Sequence, residues 1–183
     1  EATRRLQESE ERYRLVLEGS NDGIWDWYIC HNQVFCNDRL FEIIGISREE
    51  LGTAYDAFYR LIHPDDRRRV LHAIRDHMEQ STPFDVEFRL WNVSGTYRYC
   101  TSRGKAQRDE RGNLFRMSGI VSDITARKQT EAEIVKLNQA LERRVEELQT
   151  LFDVIPIGIA IAEDAGCQSI RVNPAYSEML GIR

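Results

Sequence analysis

The residues of this chain best suited to ligating a metal or serving as nucleophile and base are four histidines, His31, His63, His72 and His77, and four cysteines, Cys30, Cys36, Cys100 and Cys167. Their spacing supports neither chemistry. There is no C-x-x-C pair, so a zinc ribbon or thioredoxin-like site is not expected. His72 and His77 are five residues apart and do not share a helix face as an i, i+4 pair would. Both are expected on the surface. His31 falls in a turn and His63 at a helix entry, where bonding to nearby backbone is the ordinary role. No metal cluster is expected from this set. No Ser-His-Asp order or nucleotide-binding glycine loop stands out. No catalytic residue is assigned, and any catalysis is expected in a domain beyond Arg183. The thiols read as free in a reducing compartment. A different candidate site is aromatic: Trp25, Trp27, Phe41, Phe58, Phe88 and Tyr99 could line a ligand pocket. Aromatic residues at strand spacing also make plain core, and both readings stand.

The elements that must position these residues follow from periodicity. Residues 1–18 are charged, lack Gly and Pro, and predict a short amphipathic helix. Ser20-Asn21-Asp22-Gly23 is a turn cluster that stops it. Residues 24–29 and 34–36 read as strands, the first with Trp25 and Trp27 on one face. Asn37 or Asp38 caps a helix that runs to Gly45, and Ser47 with Glu50 fits a capping box. Pro64 suits the first position of a helix to about Gln80, with Asp65 and Asp66 at its positive end. Phe84, Val86, Phe88 and Leu90 alternate with Asp85, Glu87, Arg89 and Trp91, the cleanest period-two run in the chain. Residues 96–107 and 114–124 read as two further strands, joined by hairpin loops at Asn92–Gly95 and Asp109–Asn113. Asp26 and Glu87 are expected to pair with Arg89 and Arg98 across the sheet. Arg67-Arg68-Arg69 with Asp65-Asp66 reads as a solvated helix face.

Residues 124–155 predict one long helix. No Gly or Pro interrupts Thr125 to Val154, and thirty helical residues span about 45 Å. Ile134, Leu137, Leu141, Val145, Leu148, Leu151 and Ile155 recur in steps of three or four. Placing Ile134 at heptad position a puts Arg144 among the a and d residues, with Val145 carrying the stripe on. The pattern fits a parallel dimeric coiled coil, in which Arg144 would fix register. A single amphipathic helix packed on its own domain fits the same pattern.

Composition narrows the class. Hydrophobic content of 42% and charged content of 30% are ordinary for a globular chain. A net charge of -5 and a pI near 5.5 argue against a nucleic-acid partner. The apolar runs are too short for a transmembrane helix, so no membrane contact is expected from this stretch. The chain begins at Glu1 without Met and reads as a piece of a longer protein, whose membrane anchoring stays open.

The opening of the first unit recurs after the long helix. Gly23-Ile24 matches Gly158-Ile159, Asn37 matches Asn173, Leu40 matches Tyr176, and Gly45-Ile46 matches Gly181-Ile182. Four segments are therefore expected: an amphipathic helix at 1–18, a sheet domain at 19–125, a linker helix at 126–154, and the truncated start of a second copy at 155–183.

The order of these motifs resembles the PAS domain. Gly23-Ile24-Trp25-Asp26-Trp27 resembles its opening strand, and His63-Pro64-Asp65-Asp66-Arg67 its helix-entry motif. Glu87-Phe88-Arg89-Leu90, Gly95-Thr96-Tyr97-Arg98-Tyr99, Asp109-Glu110-Arg111-Gly112 and Gly119 through Thr125 resemble its C-terminal PAC half. The resemblance implies an α+β fold: a five-stranded antiparallel sheet with helices on one face, followed by a long signalling helix. It also implies a sensory or dimerising input to a bacterial histidine kinase, diguanylate cyclase or phosphodiesterase, in the cytoplasm. Asp123-Ile124-Thr125 resembles the junction where family members pass signal from sheet to helix, although Ala126 follows where Glu is more usual. Light-sensing members need an Asn-Cys-Arg motif on a middle helix, and residues 47–62 contain no Cys. Haem-binding members place an axial His on the helix that here carries His72 and His77. Neither haem nor flavin is expected, and a haem- or flavin-dependent redox or gas sensor is the alternative. The expected partners are a second copy through the linker helix and a downstream output domain in the same chain.

Overall fold

The computed structural model describes residues 19–181 together with Glu11 and Leu15. The helix expected over residues 1–18 therefore lies, but for those two residues, outside the described residues. The chain divides into two compact units, Glu1–Lys128 and Gln129–Arg183.

The first unit contains a five-stranded sheet built from β1 (Gly23–Tyr28), β2 (Gln33–Cys36), β3 (Phe84–Asn92), β4 (Thr96–Arg108) and β5 (Leu114–Asp123). All neighbours are antiparallel, in the order β2-β1-β5-β4-β3. Between β2 and β3 lie α1 (Asp38–Ile44), α2 (Arg48–Leu51), α3 (Tyr55–Leu61) and α4 (Pro64–Gln80). α3 is the element that the sequence reading did not separate. The expected caps form. Asn37 Oδ1 accepts the Leu40 N–H, Ser47 and Glu50 make a reciprocal capping box, and His63 Nδ1 accepts the Asp65 N–H.

The core sits between the sheet and α1, α3 and α4. β3 presents Phe84, Val86, Phe88 and Leu90 to it, as its period-two pattern requires. α1 adds Leu40, Ile43 and Ile44, and β5 adds Met117 and Val121. Each such side chain stabilises the fold by roughly 1.5–3 kcal/mol relative to leaving it in water. Cys100 is fully buried and Cys36 partly so, and burial pushes each thiol up to about 12. Both stay protonated and poor nucleophiles near neutrality.

α5 (Thr125–Val154) is the long helix, with the bounds that its lack of breakers predicts. In the second unit, β6 (Ala160–Ala162) pairs with β7 (Ile170–Val172), and α6 (Pro174–Leu180) follows.

Candidate functional site: an apolar cavity and the sheet-to-helix junction

An apolar space of about 110 Å³, partly open to the surface, lies against the core of the first unit. Of the six aromatic residues expected at a pocket, Trp25, Trp27, Phe58 and Phe88 line it. Phe41 and Tyr99 do not. Phe41 is displaced because Leu40, Ile43 and Ile44 hold the inward positions of α1, and the Arg48 guanidinium covers its ring at 5.4 Å. Tyr99 is 44% exposed because the inward positions of β4 belong to its neighbours, Cys100 at 0% and Ser102 at 4%. The sequence reading also missed Tyr55, Ser102 and Met117, which line the space as well.

Two further residues shape the cavity through the side chains they lack. Gly104 and Gly119 face each other across β4 and β5. A Cβ at Gly104 would meet the Trp25 ring at 2.8 Å, and one at Gly119 would meet it at 2.6 Å and the Arg103 carbonyl at 2.0 Å. Only glycine leaves room for the Trp25 indole there. Isolated glycines inside strand patterns are the sequence signal for such close approach.

The polar groups of the lining residues differ in how they are satisfied. Trp25 Nε1–H donates to Ser102 Oγ at 3.0 Å, and the Ser102 hydroxyl donates to the Ile120 carbonyl at 3.0 Å. Trp27 stacks on Tyr55 with ring centroids 4.4 Å apart and planes 17° from parallel. Its indole nitrogen is buried and has no hydrogen-bond partner, the one such side-chain atom among the described residues. Burial pushes the Tyr55 phenol up to about 12, and the nearby Tyr59 and Asp56 act in the same direction. It is neutral near pH 7.

The histidines do not serve this space. His72 is exposed, as expected. His77 is not the surface residue expected. It is half-buried, its Nδ1–H donates to the Thr82 carbonyl, and its Nε2 accepts the Ala106 N–H at 2.9 Å. Both ring nitrogens are committed to backbone, which does not fit an axial haem ligand. Among the described residues no group of His, Cys, Asp and Glu is placed to hold a metal ion.

The expected relay residues lie where β5 becomes α5. The Ile124 N–H donates to the Tyr99 carbonyl at 2.8 Å, and the Tyr99 N–H donates to Thr125 Oγ1 at 3.0 Å. Tyr99 thus acts at the junction through its backbone, not at the cavity through its ring. Asp123 accepts from Arg98 Nη1 at 2.7 Å and from the Thr125 N–H at 2.9 Å. Burial raises its carboxyl pKa, but the hydrogen bonds from Thr125 and Arg98 outweigh that and hold it below the ordinary value. Glu87 grips the first turn of α5 through Arg127 at 2.6 Å and Lys128 at 2.7 Å.

The charged pairs expected across the sheet are corrected by its register. Asp26 pairs with Arg116 through two bonds of 2.7 and 2.6 Å, Arg98 with Asp123, and Arg89 with Asp66. Asp66 is correspondingly not part of a solvated face. It is 5% exposed and accepts from the Arg89 N–H, Nε and Nη2 and from Arg69. The bond from Arg89 is the main reason its carboxyl sits below the ordinary value, against the opposing effect of burial.

On α5, Ile134, Leu137, Leu141, Val145, Leu148 and Leu151 are all more than half exposed. Arg144 is bonded within its own helix, to Glu147 at 2.9 Å. Among the described residues no helix is long and apolar enough to cross a membrane.

Comparison with known proteins gives consistent results. Residues 33–121 match the family model described as the PAS fold, and residues 146–183 match a second one described as the PAS domain. A crystal structure of a sensory box histidine kinase/response regulator from Burkholderia thailandensis is 34% identical, with a TM-score of 0.62, over 72% of this chain and 98% of that one. Sensor protein FixL of Bradyrhizobium diazoefficiens is 31% identical over 85% of this chain and 29% of its own length. A protein of Escherichia coli named probable diguanylate cyclase DgcE is 27% identical over 96% of this chain and 15% of its own. The chain thus spans less than a third of these two curated relatives.

Proposed function

The chain belongs to the PAS family, and from that premise we propose that it is the sensory input and dimerisation module of a bacterial signalling protein. A small ligand, or strain from a neighbouring unit, changes the cavity region, and the change passes through the 124–155 helix to an output domain further along a longer protein. That output is a histidine kinase or a diguanylate cyclase or phosphodiesterase, working in the cytoplasm. The observation that carries this reading is continuity. β5 supplies Met117 and Val121 to the cavity wall, ends at Asp123, and is followed one residue later by α5. A ligand that fits one arrangement of this sheet better than another biases the departure of the helix by its differential affinity.

The dimer rests on the exposed stripe of α5, whose spacing is that of a two-stranded coiled coil. The proposed occupant is a second copy of the same helix. Replacing Leu141 and Leu148 together by Asp is expected to convert a dimer to a monomer in sedimentation velocity. A variant that stays dimeric would remove the coiled coil from the proposal. Haem and flavin are not part of it: a space near 110 Å³ is smaller than the cavity of about 150 Å³ that takes benzene. Native mass spectrometry with an absorbance spectrum tests the whole reading. A colourless dimer that takes up small-molecule mass is the expected result. A chromophore, or a chain that binds no small molecule, would overturn the ligand half.

A further inference from the structure

The wall of the apolar space is held unevenly. α1, α4 and the sheet give it buried residues, among them Ile44, Val70, Phe88 and Met117. α3 gives it Tyr55, Phe58 and Tyr59, and none of the three is buried. From Gly45 to Leu61 the chain has no buried residue at all. Segments that bury so little open locally at lower cost than the whole fold.

The two ends of α3 are tied to opposite edges of the sheet, whose order is β2-β1-β5-β4-β3. At its start the Val34 N–H of β2 donates to the Thr53 carbonyl at 2.7 Å, and the Tyr55 N–H donates to the Asn32 carbonyl at 3.4 Å. The Tyr55 ring stacks on Trp27. Ala54 stands at the N-cap and makes no side-chain bond to the helix. At its end Ile62 is buried and pairs with Leu90 of β3, and the His63 N–H donates to the Arg89 carbonyl at 2.8 Å. Arg67 of α4 donates to the Ile62 and Arg60 carbonyls at 3.0 and 2.8 Å and covers the Tyr59 ring. Such charge-assisted bonds are stronger than the neutral ones at the start. The β2 tie is therefore the weaker. Just before it, Gly52 has φ of +74° and ψ of -164°, a conformation essentially reserved for glycine.

We propose that α3 is a hinged strap over the apolar space. It swings away from β2 at its start, with the chain giving at Gly52, and stays tied to β3 at its end. The strap thereby sets when the space keeps an occupant. That last step rests on the reading of the space as a ligand site, and the motion does not.

Amide exchange of the full chain, followed by NMR, tests the motion. The Val34 and Tyr59 amides should exchange at least tenfold faster, relative to their intrinsic rates, than His63 and the paired amides of β4 and β5. Val34 and Tyr59 as well protected as β4 and β5 would overturn the strap. His63 as fast as Val34 would overturn the hinge. A Cβ at Gly52 meets nothing within 4 Å, so Gly52→Ala strains the backbone alone, and opening relieves that strain. Exchange at Val34 and Tyr59 should quicken roughly tenfold in this variant. A lowered urea midpoint with no change at those two amides would overturn the role of Gly52. If the variant does not fold, the native exchange pattern still decides. Xenon, which enters dry apolar cavities, tests the link to an occupant. Bound xenon should shift the Met117 and Val121 methyl resonances and slow exchange at Val34 and Tyr59 severalfold, since the open strap would release it. Shifted methyls without slower exchange would overturn that link. Unshifted methyls would remove the ligand reading, and the exchange pattern alone would judge the strap.

Discussion

The two units begin with the same local device and end with very different interiors. In the first, Asn37 accepts the Ile24 and Leu40 N–H groups on Oδ1 and donates to the Asp22 carbonyl. In the second, Asn173 accepts the Ile159 and Tyr176 N–H groups and donates to the Ile157 carbonyl. Strand, turn and helix cap are stapled alike. The residues that follow in register diverge. Ile43 and Ile44 are 1% exposed, whereas their counterparts Met179 and Leu180 are 68% and 51% exposed. The first pair packs against β3, and Asn92 and Val93 at the end of β3 cap the Ile43 and Ile44 carbonyls. The short-range code of caps and turns thus forms by itself. The interior is supplied by strands forty to eighty residues further along the chain.

That contrast is open to direct attack, most strongly at the matched core position. Ile43→Ala is expected to cost about 2–5 kcal/mol in denaturant unfolding of the first unit. Met179→Ala, at the corresponding residue, should stay within about 0.5 kcal/mol. Equal costs would mean that α6 is as well packed as α1.

Acid provides a second separation. The folded carboxyl of Asp66 lies below its ordinary value, so the unfolded chain binds the proton more readily. Its contribution is present above the unfolded value near 3.8 and disappears as pH falls through the lower folded value. The urea midpoint of the first unit should begin to drop near pH 5 and keep dropping below 3.8, with Asp66 supplying no more than about 1.4 kcal/mol per pH unit. In Asp66→Asn the drop should be shallower, and an unchanged slope would assign the acid sensitivity elsewhere. Asp164 of the second unit is also held low, by the N–H groups of Gln168, Ser169 and Gly166. It is exposed, so its protonation should loosen only its own turn, visible as faster amide exchange at those three residues.

The smallest effect is at the helix ends. Gly45 and Gly181 both take left-handed conformations, with φ of +78° and +66°. Alanine at either adds about 1–2 kcal/mol of backbone strain. At Gly45 the new Cβ would also meet Val93 Cγ2 at 2.6 Å, while at Gly181 it meets nothing. Gly45→Ala should therefore lower the melting temperature more than Gly181→Ala, and the reverse order would contradict the packing described for α1.

Much of this was legible from spacing alone: the alternation of β3, the caps at Asn37, Ser47 and His63, the repeat, and the bounds of α5. The cavity was legible only in part, and β4 explains why. Its outward face carries Tyr97 and Tyr99, while its inward face carries Cys100, Ser102, Gly104 and Ala106. Hydrophobicity pointed to the wrong side, because the inner face needs small residues to make room for Trp25. Asp66 misled in a similar way. Its charge suggested solvent, yet its partner Arg89 is 23 residues away on a strand whose register no local pattern reveals. The pairing of Asp26 with Arg116, 90 residues apart, was hidden for the same reason.

The facing glycines beneath Trp25 have a spectroscopic consequence. Their α-protons lie within the magnetic field of the indole ring current, so Gly104 and Gly119 should resonate well away from ordinary strand glycines. A shift of either signal on adding a small molecule would report movement of Trp25 without any label, at a place where no side chain of the strand itself can interfere.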